Sequence, residues 1–75
     1  MEILFFGSLV DATGLSKINV AEVADTEGLI ALLTQKFPSL EHAKYFIAVN
    51  SQMIIGNVAI KKDDTIALMP PFSGG

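Results

Sequence analysis

The sequence predicts a two-layer α+β domain in which a mixed sheet of four to five strands packs on one main helix. Apolar periodicity along the 75 residues gives the order strand, strand, helix, strand, short strand, strand. The segment from Asp25 to Phe37 has the apolar spacing and the boundary residues of a long helix. The first and last strands are the most apolar, as is typical of adjacent central strands, and we expect them to be parallel.

The first strand is predicted at residues 2–6, because β-branched and aromatic side chains dominate this segment and a Gly-Ser pair follows it. Alternation directs Ile3 and Phe5 to one face of the sheet. Glu2 marks the opposite face as outward, so the same alternation leaves the large side chain of Phe6 exposed.

The main helix is predicted to begin at an N-cap, Asp25 or Thr26, with Glu27 placed favourably in the first turn. It is predicted to end at Phe37, because a residue before proline is disfavoured in the helical region. The apolar stripe that should face the sheet consists of Leu29, Ile30, Leu32, Leu33 and Phe37.

Shorter elements complete the prediction. They are a helical turn at 8–14, an edge strand at 17–20, a third strand at 45–49, a turn at 50–52, a short strand at 53–55, a solvated charged turn at 61–64 and a last strand at 65–69. In the last strand Ile66 and Leu68 should point inward and Met69 outward. Phe6 and Met69 would then form an apolar patch beside the end of the sheet, unless the tail or neighbouring loops cover them.

Composition excludes several classes of site. The chain has no cysteine and one histidine, so neither a thiolate nor a multi-histidine metal site can form. We therefore expect no bound metal or cofactor. The net charge of −3 argues against nucleic-acid binding, and no apolar run approaches the ~18 residues of a membrane span. No serine-histidine triad or phosphate-binding glycine motif is recognisable around His42, Gly28 or Gly56.

The last residues, from Pro70 to Gly75, predict an extended tail. Pro70 and Pro71 fix φ and remove two donors, so strand pairing must end near Met69. Six residues in extended form reach on the order of 20 Å from the domain. The chain is therefore divided into a domain at 1–69 and a tail at 70–75 that could insert into a narrow pocket of another protein.

Three segments of the chain carry a resemblance to a known family. They are Ile3-Leu4-Phe5-Phe6, Ala48-Val49-Asn50 and the ending from Asp64 through Pro70-Pro71-Phe72-Ser73-Gly74-Gly75. These segments closely resemble the small subunits of molybdopterin synthase, which are ubiquitin-like, β-grasp sulfur carriers. The resemblance spans nearly the whole chain, and the Pro-Pro-x-x-Gly-Gly ending is its most specific part.

The resemblance implies a function for the tail. Gly75 would be adenylated by an E1-like activating enzyme that uses ATP, and then converted to a thiocarboxylate. The tail would insert into the large catalytic subunit, with which a heterotetramer is expected, and donate sulfur to cyclic pyranopterin monophosphate in the cytoplasm. Gly74 and Gly75 would leave the acyl carbon open to attack. The expected contacts with partners are made by Phe6, Met53, Met69, Pro70, Pro71, Phe72 and Ser73.

Two other functions remain open from the residues. One is a thiamin-biosynthesis sulfur carrier, which shares the fold and the Gly-Gly ending but typically lacks the Pro-Pro pair. The other is a ubiquitin-like modifier or interaction module, whose tail forms isopeptide bonds or none. In each case the chain itself carries no catalytic groups beyond the tail.

Overall fold

The computed structural model describes residues 1–71, in which five strands form one sheet that packs on one long helix. The strands are β1 (Glu2–Phe5), β2 (Lys17–Asn19), β3 (Phe46–Val49), β4 (Gln52–Met53) and β5 (Thr65–Met69). The helices are α1 (Ser8–Thr13) and α2 (Thr26–Lys36), and a 3-10 helix follows at Pro38–His42. The predicted α+β class and the predicted order of strands and main helix are confirmed.

The sheet has the strand order β2-β1-β5-β3-β4. The two most apolar strands, β1 and β5, are central and parallel, with Glu2 opposite Thr65 and Phe5 opposite Leu68. All other pairs are antiparallel, and β2 lies at an edge as predicted. Because β1 and β5 are parallel, both strands end at the same edge of the sheet. This edge is where the chain continues into Pro70.

The core lies between the inner face of the sheet and α2. Ile3, Ile66 and Leu68 from the central strands are fully buried, as are Leu29 and Leu33 from the helix. The rings of Phe5 and Phe37 meet edge to face, with centroids 5.8 Å apart, a favourable arrangement for an aromatic pair. The remaining buried members of the core are Leu9, Val20, Leu40, Ile47 and Ile60.

The ends of α2 follow the sequence prediction. Asp25 is the N-cap, and its carboxylate accepts a hydrogen bond of 2.9 Å from the backbone N–H of Gly28. The helix stops at Lys36, and Phe37 leaves the helical region ahead of Pro38. A second residue, Asn57, caps the same terminus from a distant loop. Its Oδ1 accepts hydrogen bonds from the Thr26 hydroxyl at 3.0 Å and from the N–H of Glu27 at 2.9 Å.

The predicted short strand is present, but it spans Gln52–Met53 and not residues 53–55. The β3–β4 hairpin loop contains only Asn50 and Ser51, both with positive φ, so β4 begins already at Gln52. Ile55 lies outside the strand and is 96% exposed. Three other strands differ from the predicted bounds by one residue, because β1 ends at Phe5, β2 ends at Asn19 and β3 begins at Phe46.

The charged turn at 61–64 is held by hydrogen bonds, whereas the sequence predicted only a solvated segment. Asp64 accepts hydrogen bonds from the N–H of Lys61 at 2.8 Å and from the side-chain amide of Asn50 at 2.7 Å. Both hydrogen bonds, and most of all the one from the N–H of Lys61, hold the pKa of Asp64 below its usual value. Asn50 in turn accepts a hydrogen bond from the N–H of Thr65, which ties the hairpin loop to the start of β5.

Candidate functional site

The candidate site is the edge of the sheet where β5 ends. Met69 is the last strand residue and Pro70, which has no N–H to donate, follows it. Pro70 is half-buried and Pro71 is exposed. The four remaining residues of the predicted tail, Phe72, Ser73, Gly74 and Gly75, lie outside the described residues. Their predicted roles in insertion and sulfur transfer therefore stay predictions.

Beside this edge, the outer face of the sheet contains a shallow groove of about 360 Å³, here called the outer groove. It is lined by Leu4, Phe6, Ala48, Ser51, Met53, Thr65, Ala67 and Met69. The register explains its chemistry, because alternate residues of β1 and β5 face outward and Leu4 lies directly opposite Ala67. Most of the lining side chains are apolar, two small alanines among them.

The structure brings together three residues that are far apart in the sequence and were predicted to contact partners. Phe6, Met53 and Met69 all line the outer groove. Phe6 is 47% exposed and Met53 is 58% exposed, so neither side chain is covered by the neighbouring described loops. A contiguous apolar surface of this kind is typical of an interface. Their role in binding a partner stays a prediction.

Phe46 belongs to the same face and was missed in the sequence analysis. It is 41% exposed and pairs directly with Met69 across the β3–β5 ladder, and cross-strand partners point to the same side of a sheet. Alternation within β3 could have shown this, since Ile47 is buried and its neighbour Phe46 must then face outward. The apolar outer face therefore continues along β3 from Ala48 to Phe46.

The ionisable groups whose pKa values are shifted do not line the outer groove. Hydrogen bonds from the Gly28 N–H and from Asn57 lower the pKa of Asp25 at the start of α2. Burial raises the pKa of Tyr45, which lies between α2 and β3. Within residues 1–71, no three side chains of the metal-binding types come together. The groove is thus apolar with a hydroxyl-bearing end at Ser51 and Thr65, which suits contact with another protein.

In the part of the chain that the structure describes, no helix has the length and apolar character needed to cross a lipid bilayer.

Comparison with solved structures identifies the fold. SAMP1 from Haloferax volcanii superposes with a TM-score of 0.82 at 23% identity, covering 99% of this chain and 97% of its own. The putative molybdopterin converting factor subunit 1 from Pyrococcus furiosus gives a TM-score of 0.81 at 18% identity, covering 95% of each chain. The fold is therefore the ubiquitin-like β-grasp fold that the resemblance implied.

The chain belongs to the ThiS family, which matches residues 3–75. It is 30% identical to the molybdopterin synthase sulfur carrier subunit of Haemophilus influenzae over 80 aligned positions, covering 100% of this chain and 99% of that protein. The family resemblance inferred from the sequence is confirmed.

A further solved structure bears on partners. A protein-protein complex of subunits 1 and 2 of molybdopterin-converting factor from Helicobacter pylori contains a chain that is 30% identical to this one. The TM-score is 0.75, and the match covers 99% of this chain and 96% of that chain.

Proposed function

We propose that this protein is the sulfur carrier subunit of a molybdopterin synthase and that its partner is the large subunit. The observation that carries the proposal is the full-length identity of 30% with the Haemophilus influenzae carrier subunit. The Helicobacter pylori complex of subunits 1 and 2, with a chain of the same identity, supports a large-subunit partner. The position of the outer groove beside the root of the tail is consistent with both.

The chemistry that we propose takes place at Gly75. Its carboxylate is a poor electrophile, so an E1-like enzyme first transfers the adenylyl group of ATP to it and releases pyrophosphate. A sulfur nucleophile then displaces AMP, and the acyl carbon is left as a thiocarboxylate. This group carries sulfur without a cysteine, which the chain lacks. We propose that the thiocarboxylate passes its sulfur to cyclic pyranopterin monophosphate within a cytoplasmic heterotetramer.

Mass measurement of the protein recovered from its native host tests this proposal. A carrier exchanges one terminal oxygen for sulfur, which raises the mass by the difference between the two atoms. A modifier that is conjugated through its tail instead gains the mass of a second protein. Conversion of cyclic pyranopterin monophosphate by purified large subunit then separates this carrier from a thiamin-biosynthesis carrier. A chain recovered only as conjugates would contradict the proposal.

The outer groove is proposed as the docking surface for both partners. Replacement of Phe6 or Met69 by aspartate introduces a charge into the apolar lining of the groove. This charge must be desolvated if the groove is buried on binding. We expect Phe6→Asp and Met69→Asp to weaken binding to the large subunit and to the activating enzyme, measured by titration calorimetry, with little loss of stability.

Ile55→Asp is the matched control for the docking experiment. Ile55 is 96% exposed and does not line the outer groove, so the same change of charge occurs outside the proposed interface. Its affinity should equal that of the unmodified protein. Unchanged affinity in both groove variants would reject the docking surface but not the role of Gly75.

A further inference from the structure

The structure assigns a positioning role to Gly7, and this inference rests on the proposed function of the tail. We propose that the missing side chain of Gly7 makes the space in which the ring of Pro70 packs. The direction in which the chain leaves β5 is then set by this contact between the first loop and the first tail residue.

The register of the sheet brings the two residues together. The parallel β1–β5 ladder pairs Phe5 with Leu68, and the N–H of Phe6 still donates to the carbonyl of Leu68 at 3.1 Å. Two residues beyond the Phe5–Leu68 pair, Gly7 and Pro70 lie side by side at the edge of the sheet. No ladder hydrogen bond can form there, because Pro70 has no N–H. The carbonyl of Phe6, to which an N–H at residue 70 would donate in this ladder, instead accepts a hydrogen bond of 3.1 Å from the N–H of Leu9 in α1.

The space at Gly7 is too small for any side chain. A Cβ atom built on Gly7 would lie 2.7 Å from Cγ and 3.3 Å from Cδ of Pro70. The distance of 2.7 Å is well inside van der Waals contact, and the proline ring cannot rotate away as a flexible side chain could. An added methyl group at residue 7 must therefore displace either Pro70 or the end of β1.

Backbone strain at Gly7 is a separate effect that the experiment must subtract. Gly7 has φ 56° and ψ −132°, which glycine adopts more readily than other residues. Gly14 is the control for a positive φ alone, since its φ of 78° and ψ of 9° lie in the left-handed helical region and a Cβ built there meets nothing within 4 Å; the larger strain at Gly7 is subtracted by the double-mutant cycle below. Gly14→Ala thus introduces backbone strain without a contact to the tail.

The test compares these two variants in sulfur transfer from the thiocarboxylated protein to the large subunit with its pterin precursor. A displaced tail misplaces the reacting group, and small misplacements lower rates by up to about 10²-fold. We expect Gly7→Ala to lower kcat for sulfur transfer. The KM for the large subunit should stay unchanged, because the outer groove sets it. Gly14→Ala should keep both values. Equal kcat values for the two variants would overturn the proposal.

A double-mutant cycle with Pro70→Ala identifies the contact itself. Alanine at 70 removes Cγ and Cδ and leaves only Cβ, which lies 4.0 Å from the built atom. Gly7→Ala should then have a much smaller effect than it has beside proline. Additive effects of the two substitutions would show that the contact is not responsible.

A structural measurement on the isolated protein separates failure of this inference from failure of the proposed function. Nuclear Overhauser contacts between the α protons of Gly7 and the ring protons of Pro70 are expected in the free domain. If these contacts are present but the thiocarboxylated protein without substitutions transfers no sulfur to the pterin precursor, the proposed function fails and the contact stands. If they are absent, the positioning role of Gly7 is rejected whatever the transfer assay shows.

Discussion

Deletion of Gly75 abolishes sulfur transfer while the domain stays folded, which is the largest functional effect that we expect. Among residues 1–71 the buried core consists of residues between Ile3 and Leu68, and a glycine has no side chain to bury. Without Gly75 the terminal carboxylate belongs to Gly74 and is retracted by about 3.3 Å, the length of one extended residue. A reacting group misplaced by that distance cannot reach its acceptor in a fitted pocket.

The deletion is measured as conversion of the pterin precursor by purified large subunit, together with a thermal melt. Substitution of Gly74 by leucine is the companion variant, since it keeps the length of the tail but crowds the acyl carbon. Both variants should lose transfer and keep the melting temperature of the unmodified protein. Precursor conversion at the normal rate by the Gly75-deleted carrier would contradict the assignment.

The largest effect on stability is expected for Leu33→Ala. Leu33 is fully buried between α2 and the sheet, and its removal leaves a cavity in a small core. Substitutions of this kind cost about 2–5 kcal/mol of unfolding free energy, out of the roughly 5–15 kcal/mol that a folded domain possesses. The melting temperature should fall by roughly 8 °C or more for a domain of this size.

Leu15→Ala is the control for this substitution, because the same atoms are removed from a side chain that is 40% exposed. Its unfolding free energy should change by no more than about 0.5 kcal/mol. The measurement is urea unfolding followed by circular dichroism. Equal losses in the two variants would mean that burial against the sheet does not decide the cost.

Local sequence determined the elements and the faces of the sheet. The N-cap at Asp25 and the stop at Phe37-Pro38 act within a few residues of the helix ends, so they could be recognised without the fold. Alternation in β5 likewise predicted that Ile66 and Leu68 are buried, and both are. These features depend on short-range patterns, which the order of the residues within each segment displays.

Other features required the tertiary structure, because they depend on residues distant in sequence. Asn57 caps α2 across a separation of 31 residues from Thr26, and nothing in the Gly-Asn pair at 56–57 distinguishes it from an ordinary turn. The place of Phe46 on the outer face depends on the register with Met69.

The contact of Gly7 with Pro70 was likewise beyond prediction from the sequence. Both residues are locally consistent with the ends of strands, and each was interpreted in that way. Only the parallel register of β1 and β5 brings them to the same edge, and only the distance of 2.7 Å from a built Cβ to Pro70 shows that a side chain at residue 7 would clash with the proline ring. Periodicity indicates which face a residue occupies, whereas the pairing of strands decides which residue it meets.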